Sequence, residues 1–295
     1  MESGKCVVFH SYKGGTGKTT LSINLAGLLA NKGHRVCLLD CDLYAPSFST
    51  YFQNIVTLPN KFINDYLYNK CALNEILINI SDSLKILNNG KLEIAFSNPD
   101  KNEIVKFDSL DFQERKNALQ RFIQAKNKIL LEHKFDYLII DTSPGIKFWP
   151  INCLSISDII FLVLKMGELD IEGTKMMAKE IFIPFSDIGT SSFLLLNRVA
   201  GYCAPADNLN NIHNSSDNHL PEIIKYKIKD VASDEELANI IFQETGLKVI
   251  GNIPCYCDIQ FSKREFFTSI FYQQHPFTNR MIDLVDKIKE WDSLS

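Results

Sequence analysis

The chain has 295 residues, 45% of them apolar, and carries 31 basic against 35 acidic side chains for a net charge of −4. This length suits one large α/β domain or two small ones, and the weak acidity removes any general attraction to nucleic acid or anionic lipid, so such contacts need a local patch or a partner. No run approaches the ~18–20 apolar residues of a membrane span, and MESGKCVVFH lacks a signal peptide's long apolar core, so the expected location is the cytoplasm.

The reading begins as strand, helix, strand. KCVVFH (5–10) is a short apolar strand, GKTTLSINLAGLLANKG (17–33) a helix ending at Gly33, and HRVCLLDCD (34–42) a second strand. A continuous apolar run closing on acidic residues suits a parallel strand buried on both faces. Further strands are expected at KLEIAFS (91–97), FDYLIID (135–141), DIIFLVLK (158–165), SFLLLNR (192–198) and KVIGNIP (248–254). Helical patterns separate them at 112–134, 170–183 and 233–245, the last with Ser233 as N-cap before three acidic residues. This alternation predicts one domain over 1–295, a doubly wound, mostly parallel sheet flanked by helices, with its ligand at the strands' carboxyl ends. Two stretches break the rhythm. Residues 51–90 are rich in Tyr, Phe and Asn, and 200–221 are polar, Asn-rich and Pro-bounded, as in a long mobile loop.

The phosphate chemistry lies in YKGGTGKTT, Tyr12 to Thr20. Gly14, Gly15 and Gly17 let successive N–H groups face an anion, and the helix beginning near Lys18 adds its N-terminal dipole. In this motif Lys18 supplies a cation for the β- and γ-phosphates and the Thr19 hydroxyl suits Mg²⁺; Thr20 adds a donor for the α-phosphate. The pattern G-x-x-x-x-G-K-[ST] fails only at its first glycine, here Tyr12.

KGGTGKTT resembles the deviant Walker A motif of the MinD/ParA class of P-loop ATPases, SIMIBI-type NTPases in which the opening glycine is not obligatory; the likeness is nearest to archaeal-type members. The resemblance implies that Gly14, Gly15, Thr16, Gly17, Lys18, Thr19 and Thr20 bind nucleotide. It also implies that Lys13 crosses an ATP-sandwiched homodimer to the partner's nucleotide, placing charge on both sides of the transferring group. In LLDCDLYAPS, Asp42 then orients or deprotonates the attacking water and Asp40 supports the magnesium shell. FDYLIIDTSPGI looks like the Walker B strand and second switch, with Asp141 on a magnesium-bound water and the Gly145 amide sensing the γ-phosphate. LLLNR places Asn197, with Arg198 beside it, where the class reads adenine, and GNIPCYCD places Pro254 along the base. An N-K-x-D guanine motif is absent, so ATP is favoured over GTP.

The subfamilies differ in cargo. DLYAPS is close to Mrp-type Fe–S carriers, but those have a C-x-x-C pair where this chain has only Cys203, and Cys255 and Cys257 form a C-x-C in a later segment. Two cysteines per subunit still leave a shared cluster or zinc open. The eight cysteines are too scattered for a disulfide framework. A MinD-type membrane helix is expected to be basic, whereas 276–292 sets an apolar stripe (Phe277, Met281, Leu284, Val285, Ile288, Trp291) against a slightly acidic face, which favours docking on the sheet. ParA-type DNA binding has only Lys225, Lys227 and Lys229 to offer. The aromatics of 51–90 (Tyr51, Phe52, Phe62, Tyr66, Tyr68) form either a surface for a protein partner or a satellite core. The resemblance thus implies a Mg²⁺-dependent ATPase switch in positioning, partitioning or cell-division control, reaching membrane or nucleoid through a partner. A cluster carrier and an ATP-dependent small-molecule synthase are the alternatives.

Overall fold

A computed structural model of the chain describes residues 4–165, 168–187, 189–199, 234–256, 259 and 267–290. The first apolar run forms β1 (Lys5–His10) and leads through the glycine loop into α1 (Lys18–Asn31), which returns to β2 (Arg35–Cys41). Every other long apolar run is also a strand: β4 (Lys91–Ala95), β5 (Tyr137–Thr142), β6 (Ile159–Lys165), β7 (Ser191–Val199) and β8 (Val249–Pro254), while β3 is the short Ile78–Asn79. The eight strands make one sheet in the order β3-β4-β2-β5-β1-β6-β7-β8. All pairings are parallel except β3 with β4. β3 was not expected, because two residues give no periodicity to read.

Period-2 alternation divides the core. Cys6 and Val8 of β1 join Cys37, Leu39, Leu138 and Ile140 on one face, whereas Val7 and Phe9 join Leu38, Ile139 and Phe161 on the other. The first face is covered by α5 (Phe112–Asn127), α6 (Phe148–Ser155) and α7 (Glu168–Met177) through Phe122, Trp149 and Met177. The second is covered by α1 and by the C-terminal helix Pro276–Lys289. On that helix Phe277, Met281, Leu284, Val285 and Ile288 are all buried, each worth roughly 1.5–3 kcal/mol. The docked alternative is thus the observed one, secured by Lys287, whose Nζ donates to the Ile250 carbonyl of β8. No described helix is long and apolar enough to cross a membrane.

The expected helix 112–134 starts with a capping box. Asp111 accepts the Glu114 amide at 2.8 Å, and Glu114 accepts the Asp111 amide at 2.9 Å. Its last turn widens to π geometry over Lys128–Glu132, closed by the His133 amide on the Lys128 carbonyl. Helix 170–183 does the same over Ala178–Phe182.

Residues 51–90 build on α2 (Phe48–Phe52) and α3 (Ile63–Leu67). Their aromatic side chains turn inward, which is the satellite-core alternative of the two left open by the sequence. Phe52 and Tyr66 are buried, Tyr51 and Phe62 pack on the second-face core and Tyr68 on the first. Arg121 stacks on the Tyr66 ring at 4.3 Å and donates to its carbonyl. The physical reason is edge protection, since this segment closes over the β4 end of the sheet. The loop 200–221, Ser233, the lysines at 225, 227 and 229, Cys203, Cys257 and Trp291 lie outside the described residues.

Candidate active site: the P-loop and two neighbouring loops

The glycine loop joins β1 to α1 at the carboxyl edge of the sheet, where β2 and β5 also end. Gly15 and Gly17 have φ of +75° and +93°, which side-chain-bearing residues rarely adopt, and a Cβ on Gly15 would meet nothing within 4 Å. The first turn of α1 contains no acidic side chain, so its free N–H groups and dipole are left for an anion.

Lys18 lies inside this cradle at 6% exposure, its Nζ donating to Ser11 Oγ at 2.9 Å while Ser11 Oγ donates to the Lys13 carbonyl at 2.6 Å. Burial lowers the Lys18 pKa, and the charges of Asp141 and Asp42 oppose that shift. Lys13 faces the other way. Its side chain is 42% exposed, with its Nζ 4.0 Å from Asp170 on α7. Tyr12 packs on the same helix, so tightly that a Cβ on Gly173 would sit 2.0 Å from its ring.

Asp40 and Asp141 are register partners on β2 and β5, both fully buried. Thr19 Oγ1 donates to Asp141 Oδ2 at 2.6 Å, while Asp141 Oδ1 is buried with no partner. Burial pushes Asp141 up to about 7, against the pull of Lys18 and of the Thr19 hydroxyl. An orphaned buried carboxylate oxygen beside a threonine hydroxyl is a donor set that fits Mg²⁺, which takes few protein ligands and keeps waters. Asp40 carries hydrogen bonds of its own. Its Oδ1 accepts the Asp42 amide at 3.1 Å and its Oδ2 the Phe48 amide at 3.4 Å, so it holds the turn that carries Asp42. Burial first, then the Asp141 charge, drives its pKa well above the carboxylate range.

Asp42 is only partly buried, and its Oδ1 accepts the Ser143 hydroxyl at 2.6 Å and the Ala45 amide at 2.9 Å. The second loop is pinned to the first by the Gly145 amide, which donates to the Ser11 carbonyl at 2.9 Å with Gly145 at φ +83°. Behind it, Thr142 donates to the Phe9 carbonyl and meets His10 Nδ1, each at 2.8 Å. Because the Thr142 proton goes to Phe9, His10 must donate from Nδ1, which leaves Nε2 bare. That neutral form agrees with a pKa lowered to about 3 by burial and by the Lys18 charge.

Asn197, near the end of β7, donates from Nδ2 to the Thr16 carbonyl at 2.7 Å, bracing the P-loop across 181 residues. Pro254 ends β8 opposite Val199, at the same edge of the sheet. The Arg198 side chain lies outside the described residues. The structure thus brings together Lys18, Thr19, Asp42, Asp141, Gly145 and Asn197 around one loop, and it adds His10, Ser11, Thr142, Ser143, Asp170 and Gly173. Sequence reading did not single these out. The only signal available was that Thr142 and Ser143 set two hydroxyls directly after Asp141. Cys255 is half-buried, and among the described residues no group of three or more His, Cys, Asp or Glu could hold a metal.

A family model described as an AAA domain, AAA_31, matches residues 4–183. Among curated proteins, the chain is 30% identical over 158 residues to the septum site-determining protein MinD of Bacillus subtilis, which covers 52% of this chain and 51% of that protein. It is 25% identical over 180 residues to the sporulation initiation inhibitor protein Soj of the same organism, covering 60% and 65%. The chain therefore spans less than two thirds of the length of these relatives. Among solved structures, the cell division ATPase MinD of Pyrococcus furiosus superposes with a TM-score of 0.69 at 17% identity, over 98% of this chain and 99% of that one. A putative plasmid partition protein of Borrelia burgdorferi, bound to AMPPNP, gives 0.64 at 18% identity, over 97% and 99%. With its match spanning more than half the chain, this chain belongs to the AAA_31 family, and it shares end to end the P-loop fold of the MinD and plasmid-partition structures.

Proposed function

We propose that this chain is a Mg²⁺-dependent ATPase that acts as a dimerisation switch, ATP closing two copies face to face and hydrolysis releasing them. The observation that carries the reading is the contrast between two lysines five positions apart. Lys18 is buried in its own loop, whereas the Lys13 side chain is 42% exposed and held on this chain by a 4.0 Å ion pair with the partly exposed Asp170, a contact it can exchange for a phosphate of a second copy. Solved relatives support the chemistry: a MinD from Pyrococcus horikoshii was determined with Mg-ADP, and a MinD from Aquifex aeolicus in complex with MinC. Their partners and processes, septum placement and plasmid or chromosome partitioning, are the class of role proposed here.

In this reading the P-loop amides and Lys18 hold the β- and γ-phosphates, and Asn197 with Pro254 lines the base end. Asp42 orients a water in line with the γ-phosphorus, while Lys18 and the Lys13 of a second copy offset charge as the bond to the leaving ADP breaks. Thr19 and Asp141 would hold Mg²⁺, which would supply additional positive charge at the phosphates. Asp40 serves by fixing the Asp42 turn. Gly145, hydrogen-bonded to Ser11, is the amide placed to respond to the γ-phosphate.

Light scattering on a size-exclusion column tests the proposal, using Asp42→Ala protein with ADP or with ATP and Mg²⁺. A monomer in ADP that becomes a dimer in ATP, and fails to do so when Lys13→Ala is added, supports the switch. An oligomeric state indifferent to nucleotide refutes it.

A further inference from the structure

We propose that Ser143 is a positioning residue that aims Asp42 for hydrolysis and joins the two switch loops into one moving part. The inference rests on the ATPase reading above and adds a residue to it. Ser143 is 1% exposed, and its hydroxyl spans 101 residues of sequence to reach Asp42 Oδ1 at 2.6 Å, the short distance of a charge-assisted bond. The Ala45 amide occupies the same oxygen at 2.9 Å. Two donors on Oδ1 anchor that oxygen and leave Oδ2, which takes no bond among the described residues, as the acceptor available to a water.

Ser143 is itself held from two sides. On one, Thr142 is tied to Phe9 and His10 of β1. On the other, Gly145 is tied to Ser11 at the opening of the P-loop. A second contact runs parallel to the first, with Lys147 Nζ 4.0 Å above the ring of Tyr44. Residues 42–44 therefore lie along residues 143–147 with two cross-links, Asp42 to Ser143 and Tyr44 to Lys147. A shift of the Gly145 amide toward a phosphate oxygen is transmitted to the Asp42 carboxylate through a rigid link of a few bonds. Hydrolysis is sensitive to such placement, because a base displaced by about 1 Å can cost on the order of 100-fold in rate.

The test is steady-state ATP hydrolysis by the full chain, with ATP dissociation constants and thermal midpoints measured in parallel. Ser143→Ala is expected to lower kcat by about 10- to 100-fold while KM and the ATP dissociation constant stay within about twofold. Ser143→Thr, which keeps the hydroxyl, is expected to return kcat to within about threefold of wild type. Adding Ser143→Ala to Asp42→Asn should cost nothing further, since Ser143 acts only through Asp42. A Ser143→Ala protein with wild-type kcat overturns the inference. So does a Ser143→Thr protein as slow as Ser143→Ala, or an equal loss in binding and turnover, which marks a structural hydroxyl. Wild-type protein that leaves ATP intact overturns the ATPase reading and this inference with it.

Discussion

Gly173 is the position at which a single methyl group reports on how the P-loop is held. A Cβ built there lies 2.0, 2.1 and 2.6 Å from three carbons of the Tyr12 ring, where real Cβ atoms essentially never come under 3.0 Å. In Gly173→Ala the ring must therefore retreat by about 1 Å or more, or α7 must back away from the loop. Overpacking of this kind costs about 1–3 kcal/mol. The substitution also places alanine inside a helix, which returns about 1 kcal/mol. The net expectation is a loss of about 1 kcal/mol. In a Tyr12→Ala background the clash is gone and only the helix gain is left, so the same substitution should stabilise by about 1 kcal/mol. Urea denaturation of the four proteins, analysed only if the m-values agree, measures the cycle, whose coupling should be about 2 kcal/mol. The asymmetry also has a functional readout, since a displaced Tyr12 drags Ser11 and Lys13 with it and should weaken ATP binding in Gly173→Ala alone. If Gly173→Ala stabilises both backgrounds equally, Tyr12 does not pack on α7 and the account of this departure from the usual opening glycine fails.

Three further outcomes follow from the same geometry. Lys18→Gln removes the one buried cation of the cradle and should weaken ATP binding by about 100-fold in calorimetric titration, the value of one or two charge-assisted bonds. Asp141 is raised to about 7 from its ordinary 3.8, so the native state holds a proton that the unfolded chain releases between those values, and stability falls as pH rises through that window. Asp141→Asn should consequently gain on wild type by about 3 kcal/mol in urea melts between pH 5 and pH 8, with nothing further gained above pH 8, while losing the Mg²⁺-dependent part of nucleotide binding. A constant gap across that range would refute the assignment. On the far side of the sheet, Met281 is fully buried under the C-terminal helix. Met281→Ala should cost 2–5 kcal/mol without changing the ATP dissociation constant.

Local chemistry made much of this protein legible in one dimension. A short continuous apolar run set between helical patterns suits a parallel strand buried on both faces, so β1, β2 and β4 to β8 fall where their sequences place them. A phosphate cradle is built from contiguous residues whose geometry the glycines determine, so KGGTGKTT carries its meaning without the rest of the chain. The acidic outer face of 276–292 likewise indicated that its apolar stripe docks on protein. What sequence left undecided were choices between two environments of equal local propensity. Tyr66 and Phe52 read the same whether they face a partner or a core, and only the closure of 51–90 over the sheet edge sends them inward. Two-residue β3 and the π turns at 128–132 and 178–182 have no periodic signature. The site's fine structure was hidden for the same reason. Asp42 to Ser143, Asn197 to Thr16 and Tyr12 to Gly173 join residues far apart in the chain, and their pairing exists only because parallel strands deliver distant loops to one edge of one sheet.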